Sequence, residues 1–149
     1  MLASQLHKLL DDIYFYMKNL EPVLEKEQYI LSQGKIDGSM LQGVTQQKEM
    51  MLASIISLNK RRIALQEEMG VSEPFNELNN YAISNLWEHI SALSTKIAQQ
   101  NMNNGFLLQY HINYASDALS VLEAEAGTPV YGPDGQSISK LTGGTKFEV

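Results

Sequence analysis

The sequence predicts an all-α protein: an antiparallel helical hairpin followed by a long third helix, in a coiled-coil-like three-helix bundle with a flexible C-terminal tail. Apolar residues recur at alternating spacings of three and four through most of residues 1–126. Glycine-containing segments at 34–38 and around Gly70 divide this periodic region into three parts. The periodicity stops after residue 126, so we expect a helical domain over 1–126 and a flexible, Gly-rich tail over 127–149.

The first helix is predicted from a heptad-like seam with one charged member, Glu27. Pro22 lies inside this pattern, where it removes a backbone donor and is expected to kink the helix near residues 18–21. The seam keeps its phase across the proline, although a break into two helices remains an alternative. Its members are Ala3, Leu6, Leu10, Ile13, Met17, Leu20, Leu24, Glu27 and Leu31.

The second helix follows a turn in which Gly34 is expected to cap the first helix. Folding the two seams against each other as an antiparallel hairpin brings Glu27 within a turn of Lys48, and we predict that this pair fixes the register. The second seam consists of Leu41, Val44, Lys48, Met51, Ile55, Leu58, Arg62, Leu65 and Met69.

The third helix is predicted from about Phe75 to Ala126, with Gly70 ending the second helix and Ser72 and Pro74 starting the third. Its early seam is Ala82, Leu86, Ile90, Leu93 and Ile97. The polar stretch 99–105 contains weak helix formers, so a bend or frayed turn is expected there.

The run NNGFLLQYHINYASDALSVL, residues 103–122, has more apolar residues than one buried stripe requires. A helix that is apolar on two sides is usually buried on both. This run could therefore be a central helix, a homodimer seam, or a face kept for a partner. One face carries Leu108, Ile112, Ala115, Leu119 and Leu122, and the adjacent face carries Leu107, Tyr114, Ala118 and Val121, with Phe106 and Tyr110 adding to the excess.

Charge and composition exclude several classes of function. The net charge of −6 argues against nucleic-acid binding, because the only compact basic cluster is Lys60-Arg61-Arg62. No cysteine is present, which removes thiolate and disulfide chemistry. The N-terminus lacks the pattern of a secretory signal, and no apolar stretch approaches the ~20 residues that insert into a membrane. A cytoplasmic location is expected.

Motifs for catalysis or cofactor binding are missing, so we expect no enzyme, no cofactor and no metal. The pair His7 and Asp11 has helical metal-pair spacing, but such pairs are common on solvated helices. A histidine phosphotransfer module is a rival of the same size and class. It would use His89, whose neighbours Glu88 and Ile90 suit packing better than phosphate.

The tail holds five of the ten glycines and two of the four prolines. Tyr131 stands beside the predicted turn at 132–135, and an exposed aromatic on a flexible segment can serve as a short docking element.

Four motifs, in this order and spacing, resemble the FlgN family of flagellar export chaperones. EKEQYILSQGKIDGSMLQGVTQQKEMMLASI is similar to the family's first hairpin, and QQNMNNGFLLQ resembles its Asn-Gly-aromatic-Leu-Leu signature. PVYGPDGQ is similar to its Tyr-Gly-x-x-Gly-Gln tail, and GGTKFEV resembles its Gly-rich basic end. The resemblance covers nearly the whole chain, and segment 63–85 is the least similar part.

The resemblance implies a cytoplasmic chaperone of flagellar type III export. Family members bind the C-terminal helices of the hook-associated (hook–filament junction) proteins, prevent their premature assembly and deliver them to the cytoplasmic domain of the export gate, with the export ATPase as a further candidate partner. Tyr131 corresponds to the family tyrosine implicated in docking to the gate. By the same resemblance, the client-binding residues are Leu107, Leu108, Ile112, Ala115, Leu119 and Leu122. The alternative is a structural coiled-coil subunit that self-associates through helix 106–122.

Overall fold

The computed structural model describes residues 1–126 and confirms the all-α prediction within them. Three long helices, α1 (Leu2–Leu31), α2 (Gly38–Met69) and α3 (Tyr81–Ala126), are joined by a turn and by a connection that contains one short 3₁₀ turn, Asn76–Leu78. The chain divides into two compact units, Met1–Gln100 and the part that begins at Asn101. None of the helices in residues 1–126 combines the length and the apolar character that a membrane crossing requires.

Helices α1 and α2 form the predicted antiparallel hairpin, and every member of both predicted seams is buried or half-buried. Lys48 is completely buried, and its Nζ lies 2.8 Å from Oε2 and 3.0 Å from Oε1 of Glu27, so the predicted pair is confirmed. Because each buried charge must find its partner, this contact penalises any other alignment of the two helices. Pro22 lies within α1, which continues through it as a single helix.

The turn between α1 and α2 differs from the prediction at Gly34. Helix α1 ends at Leu31, with Ser32 as its C-cap in a right-handed conformation, so Gly34 is not the cap. Ser32 caps the helix instead, because its backbone N–H and its hydroxyl both donate hydrogen bonds to the carbonyl oxygen of Gln28 in the last turn. Asp37 caps the start of α2, where its carboxylate accepts hydrogen bonds from the N–H groups of Ser39 and Met40 at 3.0 and 3.1 Å.

Gly70 ends α2 in the left-handed conformation, with φ +69°, as predicted. The predicted start of the third helix at Phe75 is wrong. Phe75 is fully buried with φ +70°, which is left-handed and cannot belong to a helix. Helix α3 begins at Tyr81, where the side-chain oxygen of Asn80 accepts a hydrogen bond from the N–H of Ile83.

The first turns of α3 bury Ile83 rather than Ala82, which is exposed, and this corrects the predicted seam at one position. Spacings of three and four from Leu86 fit both residues, and burial of the larger side chain removes more apolar surface from water. Leu86 is half-buried, and Ile90, Leu93 and Ile97 join the core as predicted.

Arg62 ties α2 to the connection and to α3. Its Nη1 donates to Glu73 Oε1 at 2.8 Å and to Gln66 Oε1, and its Nε donates to Asn59 Oδ1 at 2.8 Å. The guanidinium lies 4.9 Å from the centre of the Trp87 ring, a cation–π contact. The backbone N–H of Glu73 and the Arg62 side chain hold the pKa of the Glu73 carboxyl below its ordinary value.

A second set of contacts joins α1 to α3. Lys96 Nζ lies 2.8 Å from Glu21 Oε2, and Lys18 lies 3.4 Å from the other carboxylate oxygen. The hydrogen bond from Lys96 is the main reason that the pKa of Glu21 is lowered, and the same bond raises the pKa of Lys96. The rings of Tyr14 and His89 meet edge to face with centroids 6.2 Å apart.

Candidate functional site

The candidate site lies on the part of α3 that begins at Asn101. The polar stretch 99–105 stays helical throughout, so the predicted frayed turn is absent, although the unit boundary falls within this stretch. Asn104, which sequence reasoning treated only as a weak helix former, is buried. A buried polar side chain could not be identified from composition alone.

None of the six predicted client-binding residues is fully buried. Ala115 and Leu122 are exposed, the latter by 55%, and the others are half-buried: Leu107, Leu108, Ile112 and Leu119. Because successive residues advance about 100° around a helix, the six share one broad side. This side retains apolar surface that a partner could cover.

The neighbouring side carries an apolar face that is exposed more strongly. Phe106, Tyr110 and Tyr114 are 66%, 64% and 68% exposed, and each follows the last by four residues. Ile112 is six residues beyond Phe106, which places the two about 120° apart around the helix, whereas Leu107 lies only about 20° from Tyr114, so the two faces adjoin at Leu107. The sequence pattern placed Tyr114 on the second apolar face and counted Phe106 and Tyr110 as an excess, without a role for any of the three. We call them the aromatic face, and the six predicted residues the leucine face.

The charge of this segment has one sign. Residues 101–126 contain Asp117, Glu123 and Glu125 and no Lys or Arg. A helix with acidic groups between apolar positions favours a partner that is not itself strongly acidic.

In the part of the chain that the structure describes, the histidines are not arranged to form a metal site. Residues 1–126 contain no group of three or more His, Cys, Asp or Glu side chains placed to hold a metal ion. His89 is exposed, which differs from the packed position that its neighbours suggested. Its Nδ1 lies 2.7 Å from the carbonyl oxygen of Asn85, and its ring meets Tyr14.

Tyr131 and the rest of the predicted tail, 127–149, lie outside the described residues. The docking role of Tyr131 therefore remains a prediction.

Comparison with known proteins identifies the family. The profile described as "FlgN protein" matches residues 1–138 of this chain. The chain belongs to the FlgN family. Its relatives there include a protein named "Flagella synthesis protein FlgN" from Yersinia enterocolitica serotype O:8 / biotype 1B, 34% identical over 92% of each chain.

Two further FlgN proteins match at nearly full length. Those of Escherichia coli strain K12 and Salmonella typhimurium strain LT2 are 32% and 30% identical, over 98% of this chain and 99% of their own, and carry the same name. No solved structure was found to match the chain significantly. The resemblance predicted from the four motifs is confirmed at the level of the FlgN family.

Proposed function

We propose that this FlgN-family protein is a cytoplasmic chaperone of flagellar type III export. It binds the C-terminal helical segments of the hook-associated junction proteins, prevents their premature assembly and delivers them to the export gate. The flagellar part of this proposal is supported by the FlgN relatives, whose shared name assigns them to flagella synthesis. The chaperone part is supported by the helix surface described above.

The observation that carries the proposal is the incompletely covered leucine face of α3. Client segments that form coiled coils after assembly expose apolar stripes before it, and a helix with a matching stripe can hide them. An apolar side chain gains about 1.5–3 kcal/mol on full burial, and the half-buried members gain less. Association costs remove much of the sum, so micromolar to nanomolar affinity is expected.

Binding to the full chain tests the proposal by calorimetry, with the C-terminal segment of a hook-associated junction protein as titrant. Leu119→Ala with Leu122→Ala should abolish binding and leave helicity nearly unchanged, since Leu119 is only half-buried and Leu122 is exposed. Phe106→Ala with Tyr110→Ala is the matched control on the aromatic face and should bind like the unmodified chain. Loss only in the control pair would move the client site to the aromatic face, and unchanged binding in both pairs would contradict the proposal.

The same exposed surface supports a second candidate function, a structural subunit that self-associates through helix 106–122. Mass in solution, measured over a range of concentrations, separates the two candidates. A tight dimer that Leu119→Ala with Leu122→Ala dissociates would favour the structural role. A monomer that binds the junction-protein segment would favour the chaperone.

A further inference from the structure

A second helix-binding surface is built into the Met1–Gln100 unit, separate from the leucine face. Between α2 and the first half of α3 runs a groove of about 620 Å³. Its floor is apolar, with Ile13 and Met17 from α1, Ile55 from α2 and Ile90 from α3. The groove is therefore a feature of three helices that already pack together.

The walls of the groove repeat with the spacing of a helix seam. On α2 the wall residues Asn59 and Lys60 lie three and four residues after Ile56, which is 55% exposed. On α3 the wall consists of Trp87, Ser91 and Ser94. Small serine side chains on one wall allow another backbone to approach closely. Two parallel walls with this period form the holes into which the side chains of an added α-helix fit.

The positive charge of Lys60 indicates which kind of helix the groove would bind. Lys60 lies in the groove and forms no ion pair among residues 1–126, whereas the neighbouring Arg62 is held by Glu73 and Trp87. In a chain with a net charge of −6, a cation without an ion pair beside an apolar floor favours an apolar partner that carries a carboxylate. A carboxylate from a partner would meet Lys60 at the rim while apolar residues fill the floor.

We propose that this groove binds an amphipathic α-helix of another protein, with apolar residues at i, i+3 or i+4 and i+7 and a carboxylate placed against Lys60. Such a site gives the chain a second partner, independent of the one bound by α3 beyond Asn101. It rests only on residues of the Met1–Gln100 unit, so it does not depend on the client proposal.

Two synthetic helical peptides of about three heptads test the groove. Both carry the same Leu and Ile seam, with Glu at the flanking positions in one and Lys in the other. Each is titrated into the full-length ¹⁵N-labelled chain. The Glu peptide should shift amides of 55–60 and 87–94 and the indole N–H of Trp87. It should bind about two- to five-fold more tightly than the Lys peptide, as expected for one exposed ion pair.

Charge reversal at adjacent positions provides a matched control. Lys60→Glu should weaken the Glu peptide about two- to five-fold and favour the Lys peptide, as one exposed pair allows. Arg61→Glu makes the same charge change about 100° further around α2, where Arg61 lines a different groove, and should leave the preference unchanged. Ser91→Arg should block both peptides, whereas Ala92→Arg, at an exposed position outside the groove lining, should not.

Three outcomes would overturn the proposal. Shifts confined to residues 101–126 would place peptide binding on α3 instead. Equal effects of Lys60→Glu and Arg61→Glu would show that only net charge matters. Concentration-dependent shifts in the groove without peptide would identify a second copy of this chain as the occupant.

Discussion

Lys48 and Glu27 form an ion pair in which the side chains are 0% and 4% exposed, with 2.8 Å between Nζ and the nearer carboxylate oxygen. A buried charge left without its partner is strongly destabilising, whereas exchange of both charges for apolar residues can be neutral. The pair therefore contributes more to the alignment of α1 and α2 than to their stability.

Lys48→Met alone should lower the free energy of unfolding by about 3–5 kcal/mol, because it leaves the buried Glu27 carboxylate without its cation. Glu27→Leu with Lys48→Met should recover more than half of that loss. Urea denaturation followed by far-ultraviolet circular dichroism measures both. A double variant no more stable than the single one would show that the charges stabilise the hairpin and do more than specify its register.

Arg62→Lys should loosen the connection between α2 and α3. Lysine keeps the charge but cannot hold Asn59, Gln66 and Glu73 in one plane or stack equally well on Trp87. We expect a destabilisation of about 2 kcal/mol, since bonds to charged groups contribute about 1.5–3 kcal/mol each. Hydrogen exchange of amides 70–80 should accelerate. Arg61→Lys, at the exposed neighbouring position, is the control. Equal rates of amide exchange in the two variants would contradict the role of Arg62 in holding the connection.

The Glu21 and Lys96 pair should make stability depend on pH. Since the pKa of Glu21 is lowered on folding, its contribution is complete above the ordinary carboxyl pKa and is lost as pH falls through the lowered value. The raised pKa of Lys96 means that the contribution is also lost as pH rises through that value.

Melting temperatures of the unmodified chain and of Glu21→Gln, measured from about pH 7 to about pH 3, check this dependence. The unmodified chain should melt higher at neutral pH, and the gap should close in acid. Asp12→Asn removes the exposed pair with Lys8 at 3.0 Å and should produce a much smaller gap. A gap for Glu21→Gln that persists at the acid end would rule out the ion pair as its source.

Tyr131→Ala should preserve binding of the junction-protein segment and weaken delivery to the export gate, if the predicted tail docks separately from α3. Calorimetry with the client and pull-down with the cytoplasmic domain of the gate measure the two steps. Tyr131→Phe, which retains the ring, is the conservative control. Equal loss of both steps in Tyr131→Ala would contradict a separate docking role.

The hairpin could be predicted from sequence because two long periodic seams constrain each other. Only an antiparallel register superimposes the seam that contains Leu20 on the seam that contains Met51 and also places Glu27 opposite Lys48. That register is observed. The connection from 70 to 80 could not be predicted, since its path depends on the left-handed backbone of Phe75 and on a tertiary contact between Phe75 and Trp87, 5.6 Å apart between ring centroids.

For the candidate site, the sequence predicts the helix and its apolar residues but not their exposure. Periodicity indicates that helix 106–122 has two apolar faces, but it cannot say which one the fold leaves more exposed. In the structure Phe106 and Tyr110 are more exposed than Leu107 or Leu108. The groove beside Lys60 was also missed, because it arises from the separation of two helices that are distant in sequence.

Trp87 is the only tryptophan of the chain, and it lies in the Met1–Gln100 unit between Arg62 and Phe75. Its emission is therefore an intrinsic optical probe of one unit, whereas circular dichroism sums over every helix. If the helix beyond Asn101 melts before the rest, the dichroism will decline while the fluorescence stays constant. If the proposed client binds this helix, its addition should bring the two curves together, so that binding can be followed without any label.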